Sequence, residues 1–216
     1  MTDPNPTSYG QISEGNDDGL IRLGPDLSER RLVLLHGWGA DADDLLDLAE
    51  ILVEPTVSVV ALRAPLPHPG GSGRQWYDLQ QQDWPQLPAA RTNLLRRLQA
   101  LGAEVPLEQT VLLGFSQGAA MALDVATAGE GLPVAGLISC SGYPHPDWQP
   151  GPHQTSKKIL LTHGKQDPVV PYGASEVLKE QLRRGGMEAE LIGFAGGHNI
   201  DNDLFPALRQ FLASNP

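Results

Sequence analysis

The chain has little of several features that would define other classes of protein. It contains one cysteine, Cys140, so no internal disulfide can form, and a reducing cytoplasm is the expected compartment. No apolar run approaches the length of about 18 residues that a transmembrane helix needs, so stable membrane insertion is not expected. The first residues carry neither a basic region nor an apolar core, so no secretory signal peptide is predicted.

Positive charge is also scarce. Lysine and arginine number 15 against 26 aspartates and glutamates, which gives a formal net charge of −11. This balance disfavours binding to nucleic-acid phosphates or to anionic membranes, so we expect neither as a partner. No pair among the six histidines has metal-ligand spacing with a carboxylate or thiolate. We therefore expect no metal, and the sequence indicates no other cofactor.

The length and apolar content are typical of one soluble domain. A chain of 216 residues, 40% of them hydrophobic, can bury a sizeable core. Residues 1–18 are polar, and we predict a loose lead-in there with room for a short edge strand. Residues 19–216 are predicted to form a single domain, because no repeat or linker divides them.

Short apolar runs alternate with helical patterns along this domain. Strands are predicted at residues 31–36, 57–62, 110–113, 134–140, 158–162 and 188–194. Helices are predicted at residues 42–53, 89–101, 116–128, 172–184 and 201–212, with the acidic run 41–44 as the first turn of the first helix. The alternation predicts an α/β fold, a mostly parallel sheet with helices on both faces. A long loop rich in proline, glycine and aromatic residues, 63–88, interrupts it.

The sequence Gly114-Phe115-Ser116-Gln117-Gly118 has the pattern Gly-x-Ser-x-Gly between a predicted strand and a predicted helix. This is the context of a nucleophile elbow, a sharp turn that exposes a serine hydroxyl. A serine hydroxyl needs a neighbouring base, and the base needs an acid that orients it. In this class of site the acid and then the histidine follow the serine along the chain.

The acid and base are predicted from their places after strands. Asp167 directly follows a predicted strand, at the sheet edge where open α/β folds place their sites. Asp147 also follows a strand and remains the one rival, whereas Asp124 and Glu176 fall inside helices and are expected to point elsewhere. His198 lies between the last strand and the last helix, behind a glycine pair, and is the predicted base.

Two backbone amides are predicted to stabilise a developing oxyanion. One belongs to Gln117, the residue after the nucleophile, and the other to Trp38, in the loop after the first predicted strand. His36 is expected to brace that loop. The remaining loop histidines that lie near prolines are expected to be solvated; they are His68, His145 and His153. Cys140 is expected to be a buried strand-end residue without a catalytic part.

Six sequence blocks occur together in a fixed order. They are Leu35-His36-Gly37-Trp38-Gly39-Ala40, Arg63-Ala64-Pro65, Trp76-Tyr77-Asp78, Gly114-Phe115-Ser116-Gln117-Gly118, His163-Gly164 through Asp167-Pro168-Val169-Val170-Pro171, and Gly196-Gly197-His198. Together they resemble the phospholipase/carboxylesterase family of small α/β-hydrolases, which includes the acyl-protein thioesterases.

The resemblance spans residues 31–212 and implies an α/β-hydrolase fold without a large cap. It implies a catalytic triad of Ser116, Asp167 and His198, with Trp38 and Gln117 as the oxyanion donors. The chain has Trp38 where the family commonly has leucine, and Ala119 where a second glycine is common. The bulkier side chain of Trp38 weakens the expectation of a long-chain acyl preference.

All four tryptophans follow predicted strands, so they are expected at the sheet edge that carries the triad. We predict an aromatic substrate pocket beside the serine, with Trp38, Trp76 and Tyr77 in its wall. The alternative is that these rings only pack the loops.

The function that follows is a serine carboxylesterase or thioesterase that acts on apolar acyl esters of small molecules or proteins. A lysophospholipase, peptidase or lactonase could use the same triad, because the substrate class depends on the pocket and not on the fold. A binding module that kept the fold without the chemistry is the non-enzyme alternative. A homodimer also stays open.

Overall fold

The computed structural model describes residues 19–129, 131–151 and 158–215. Its strands are β1 (Leu20–Leu23), β2 (Arg31–Leu35), β3 (Ser58–Leu62), β4 (Leu66–Pro67), β5 (Arg74–Gln75), β6 (Thr110–Phe115), β7 (Gly136–Cys140), β8 (Lys158–Gly164) and β9 (Ala189–Phe194). Its helices are α1 (Leu46–Leu52), α2 (Leu87–Leu101), α3 (Gln117–Thr127), α4 (Gly173–Arg184) and α5 (Phe205–Ala213). The predicted lead-in, 1–18, lies outside the described residues.

Seven strands form one sheet in the order β1-β3-β2-β6-β7-β8-β9. Strand β1 runs antiparallel to β3, and every other pair in this sheet is parallel. The carboxyl ends of six strands therefore meet at one edge of the sheet, where Leu35 of β2 pairs with Gly114 of β6. The predicted fold class is confirmed, and this edge gathers the loops that carry the site.

The strands are apolar on both faces because each face is covered by helices. Along β2, Val33 and Leu35 pack in a core with α2, α3 and α4, whereas Leu32 and Leu34 pack in a second core with α1 and α5. Side chains of a strand alternate between faces, so a strand buried on both sides reads as a continuous apolar run. The apolar runs of the sequence are explained by this arrangement.

Helix α1 begins later than its sequence indicates. The acidic run forms turns, and the helix starts at Leu46 instead of residue 42. The Asp41 carboxylate accepts the Ala42 amide at 2.7 Å and pairs with Arg63 at 2.8 Å. An aspartate that accepts the amide of the next residue stabilises a turn, so the prediction of a first helical turn at 41–44 was wrong.

Two small elements had no counterpart among the sequence predictions. Strand β1 adds an antiparallel edge to the sheet, and β4 and β5 form a two-residue hairpin inside the long loop 63–88. Each element is short, and its pairing depends on a strand that is distant in sequence or on the turn between its two strands. The hydrophobic pattern of so few residues is too weak to predict a strand. Within the described ranges, no helix is long and apolar enough to cross a membrane.

Candidate active site

Ser116 lies on a sharp turn between β6 and α3. Its backbone has φ 52° and ψ −116°, a conformation that non-glycine residues seldom adopt. The Ser116 amide donates to the Cys140 carbonyl at 2.9 Å, which ties the turn to the end of β7. A side chain held in this strained position points its hydroxyl above the sheet, as a nucleophile elbow requires.

The two glycines of the elbow are required by close backbone approach. A Cβ at Gly114 would lie 2.6 Å from the Cα of Ala119 in the following helix. A Cβ at Gly118 would collide with the carbonyl oxygen of Leu35 at the end of β2. The serine therefore sits where strand, helix and neighbouring loop pack too closely for any larger residue at either glycine.

The three residues predicted as a triad lie in one hydrogen-bonded line. His198 Nε2 is 3.0 Å from Ser116 Oγ, and His198 Nδ1 is 2.6 Å from Asp167 Oδ2. A carboxylate can only accept, so Nδ1 carries the proton and donates it to Asp167. Nε2 is then free to accept from the Ser116 hydroxyl, which is the orientation a general base needs.

Asp167 is buried and its carboxylate is well supplied with donors. Its side chain has no exposed surface, and Oδ1 accepts the Val169 and Val170 amides at 2.8 and 2.9 Å. Burial alone would raise the pKa of Asp167, but the hydrogen bond from His198 and those from the two amides outweigh it and hold that pKa below its ordinary value. The carboxylate is therefore ionised at neutral pH.

The rival acid lies elsewhere. The Asp147 side chain is 67% exposed and forms a bidentate ion pair with Arg91 at 2.8 and 2.9 Å. Asp124 points from α3 toward the same arginine, at 2.6 Å. The carboxylates of Asp124 and Asp147 both form ion pairs with Arg91, and Asp167 is the carboxylate that contacts His198.

The loop after β2 lies directly beside the serine. A Cβ at Gly37 would lie 3.6 Å from the Cβ of Ser116 and 3.2 Å from the Phe115 ring. Among the described residues, neither the Trp38 amide nor the Gln117 amide has a hydrogen-bond acceptor. Two unused donors flanking the serine are what an oxyanion site requires, and their role stays a prediction.

His36 fixes the shape of this loop. Its ring is buried, with Nδ1 2.8 Å from the Gly37 carbonyl oxygen and Nε2 accepting the Ala64 amide at 3.1 Å. Burial is the main reason why the pKa of His36 is lowered. The neutral ring, protonated on Nδ1, therefore joins the loop after β2 to the start of the long loop 63–88.

The long loop is also fastened to the elbow. The buried Gln117 side chain accepts the Trp76 amide at 3.0 Å through Oε1 and donates to the Tyr77 carbonyl at 2.8 Å through Nε2. The Trp76 indole donates to the His36 carbonyl at 3.0 Å. Sequence reasoning assigned only the backbone of Gln117, because a side-chain contact 40 residues away leaves no local pattern.

The predicted aromatic wall needs correction. Trp76 is 1% exposed and Tyr77 is 0% exposed, and both pack in the core with α2 and α3. Their rings therefore support the loop from beneath and do not line an open pocket. Trp38 remains half-buried at the sheet edge, where its indole donates to Gln75 at 2.8 Å and meets the His68 ring edge-on at 4.1 Å.

His145 also differs from expectation, since it is buried instead of solvated. Its Nδ1 lies 2.5 Å from Asp124 and its Nε2 3.0 Å from the Tyr77 hydroxyl, which meets the Tyr143 hydroxyl at 2.8 Å. Burial is the main reason why the pKa of Tyr143 is raised to about 12. With Arg91 these residues form a polar network that joins two loops to two helices. His68 is half-buried and His153 lies outside the described residues.

Cys140 does not offer a second nucleophile at neutral pH. Cys140 is buried at the end of β7, and burial raises the pKa of its thiol to about 11, so it stays protonated at neutral pH. Within residues 19–129, 131–151 and 158–215, no group of three metal-binding side chains is arranged to hold an ion.

Sequence comparison finds the same family that the motif blocks resemble. A family model described as phospholipase/carboxylesterase matches residues 21–215. The esterase YpfH of Escherichia coli (strain K12) is 29% identical over 206 residues, covering 86% of this chain and 83% of that protein. Acyl-protein thioesterase 1 of Neurospora crassa is 29% identical over 120 residues, covering 50% of this chain and 46% of its own.

Solved structures agree with this match. The crystal structure of esterase PE8 superposes with a TM-score of 0.76 at 29% identity, covering 90% of this chain and 97% of that one. A carboxylesterase from Bacillus cereus gives a TM-score of 0.80 at 21% identity, covering 91% and 94%. At 21% identity, the similarity to the Bacillus cereus protein shows a common fold only.

Proposed function

The chain belongs to the phospholipase/carboxylesterase family, and from that premise we propose that it is a serine hydrolase of acyl esters and thioesters. The observation that carries the proposal is the line from Ser116 Oγ through His198 to Asp167, with distances of 3.0 and 2.6 Å. Ser116 is the nucleophile, His198 the general base and acid, and Asp167 the group that orients His198.

In the first half-reaction, Ser116 Oγ attacks the acyl carbonyl carbon while its proton passes to His198 Nε2. The carbonyl oxygen becomes an oxyanion and is held by the Trp38 and Gln117 amides. Asp167 stabilises the imidazolium because its carboxylate is ionised and lies against Nδ1. Collapse of the intermediate breaks the bond to the leaving alcohol or thiol, which takes the proton from Nε2.

The second half-reaction releases the acyl group from the serine. His198 takes a proton from water, the resulting hydroxide oxygen attacks the acyl carbon, and the same two amides hold the second oxyanion. The bond to Ser116 Oγ then breaks, and the serine recovers its proton from Nε2. The products are a carboxylic acid and the free enzyme.

Trp38 supports a preference for short to medium apolar acyl chains. Its ring is held on two sides, by Gln75 and by His68, and it follows Gly37, whose backbone lies against the serine. We expect kcat/KM for p-nitrophenyl esters to peak at a short or medium chain and to fall at long chains, with the matching thioesters following the same order. A rise that continues to long chains would contradict the preference.

Replacing Trp38 with leucine tests whether the Trp38 ring limits the acyl-chain length. The smaller side chain leaves the backbone amide in place, so hydrolysis of the acetyl ester should change little. A hydrophobic pocket discriminates by about tenfold or more for each methylene that it cannot accommodate, so we expect kcat/KM for longer chains to rise by about tenfold. Trp148→Leu is the control, because that ring is buried away from the elbow and packs on α3. An equal shift in the two variants would remove Trp38 from the pocket.

A further inference from the structure

A second histidine lies against the triad acid. His163 is the penultimate residue of β8, and its side chain has no exposed surface. Its Nε2 lies 3.2 Å from Asp167 Oδ2, the oxygen that accepts from His198. The same Nε2 lies 2.9 Å from the Val170 carbonyl oxygen, and Nδ1 lies 2.7 Å from Ser175 Oγ in α4. This ring takes no part in the proposed acyl-transfer steps.

The partners of His163 determine its proton. The Val170 carbonyl can only accept, so Nε2 must carry a hydrogen and donate it. Ser175 Oγ can donate, and Nδ1 of a neutral ring can accept from it. The ring is therefore held as the Nε2–H tautomer, with its N–H directed at Val170 and its positive end close to Asp167 Oδ2.

The Val170 backbone joins this ring to the acid by a second route. The Val170 carbonyl, in the peptide that leads to Pro171, accepts from His163, and the Val170 amide, in the preceding peptide, donates to Asp167 Oδ1 at 2.9 Å. Val170 is therefore held on both sides of its Cα, which restricts the movement of its amide away from the carboxylate. His163 thus acts on both oxygens of Asp167, on Oδ1 through the Val170 backbone and on Oδ2 through its own N–H dipole.

We propose that His163 is a positioning residue of the triad. It holds Asp167 in line with His198 and reduces the negative charge that the Asp167 carboxylate presents to His198. The proposal rests on the proposed serine-hydrolase function. The groups that face His163 are Asp167 from the loop after β8, Ser175 from α4 and the Tyr172 ring, whose centroid is 5.8 Å away.

The expected effect has a definite sign. Without the Nε2–H donor, more negative charge on Asp167 faces His198, and the protonated form of His198 is stabilised. The general base must be neutral to act, so the acid limb of the kcat/KM profile should move to higher pH by about half a unit. The less firmly held carboxylate should also lower kcat by about tenfold without changing KM.

The test compares His163→Asn with His163→Gln. The glutamine amide can place a donor near the position of Nε2, whereas the shorter asparagine cannot reach the Val170 carbonyl. We expect His163→Asn to show the lower kcat and the displaced acid limb, and His163→Gln to recover most of both. Ser175→Ala is the matched control, since it removes a partner of the same ring but leaves the Nε2–H group on Val170. It should lower the melting temperature and leave the acid limb in place.

A spectroscopic readout separates this proposal from the proposed function. The low-field proton NMR signal of His198 Nδ1–H reports its short hydrogen bond to Asp167 whether or not the protein hydrolyses esters. We expect the signal to shift in His163→Asn and to stay in Ser175→Ala. The proposal fails if His163→Asn, His163→Gln and Ser175→Ala lose stability alike while the NMR signal and the acid limb of the pH profile stay unchanged. His163 would then be only a packing residue. If ester hydrolysis is absent but the signal shifts as expected, the proposed function fails and the positioning contact stands.

Discussion

Replacing Ser116 with alanine is expected to lower kcat for an activated acyl ester by about a million-fold. The hydroxyl oxygen is the only nucleophilic side-chain atom of the elbow, and among the described residues it is the hydrogen-bond partner of His198 Nε2, at 3.0 Å. Steady-state hydrolysis of p-nitrophenyl butyrate by the purified variant measures the loss.

The variant should fold normally. Alanine meets the same strain as serine at φ 52°, and the glycines that permit the turn are unchanged. Ser139→Ala is the matched control, because this serine is also buried and lies in the neighbouring strand β7, paired with Gly114. It should keep nearly full activity. Substantial hydrolysis by Ser116→Ala, with the same melting temperature as the wild type, would mean that another group is the nucleophile.

Replacing Asp167 with asparagine is expected to lower kcat by about 10⁴-fold, although the side chains have nearly the same shape. The Asn oxygen should remain with the Val169 and Val170 amides, so its NH₂ group would face His198. Nδ1 would then have to accept, and the ring proton would move to Nε2. A histidine protonated on Nε2 cannot take the proton of Ser116.

Asp147→Asn is the control for this variant, because Asp147 is the other aspartate that follows a strand in the sequence. Its carboxylate pairs with Arg91, so we expect nearly wild-type kcat. The depressed pKa of Asp167 means that its ionised form is lost only as the pH falls below its ordinary range. In the wild type the carboxylate should therefore stay ionised from pH 6 to about 8, and protonation of Asp167 should not lower kcat in that range. Equal losses in the two variants would contradict the assignment of the acid.

The sheet and the triad line could be predicted because both depend on local sequence. Strand and helix alternation showed where each parallel strand ends, and the carboxyl ends of parallel strands meet at one edge. Ser116, Asp167 and His198 lie one, three and four residues beyond the ends of β6, β8 and β9, so their approach is a consequence of topology. The structure brings the three together, and their catalytic roles remain proposals.

The contacts of the long loop could not be predicted, since its partners are distant in sequence. Trp76 and Tyr77 read as candidates for a pocket wall because tryptophan and tyrosine are common in ligand sites. The Gln117 side chain instead draws their backbone toward the elbow, and their rings enter the core with α2 and α3. Nothing in the local pattern separates a ring that faces a ligand from one that faces a helix.

His145 shows the same limit for a polar residue. Its proline-rich surroundings favoured a solvated loop, yet it is buried between Asp124 and Tyr77. A buried histidine needs partners from other elements, here α3 and the long loop. These pairings depend on how the loops fold back over the sheet, which periodicity does not describe.

The central claim, that Ser116 is an activated nucleophile, is tested most directly by reaction with a fluorophosphonate. Attack by Ser116 Oγ forms a bond to phosphorus and expels fluoride, so the adduct adds a fixed mass to one peptide. Mass spectrometry of the digested wild-type protein should find one adduct, on Ser116, and none in Ser116→Ala, with much slower labelling in Asp167→Asn. An unlabelled wild-type protein, or an adduct on any other residue, would contradict the account.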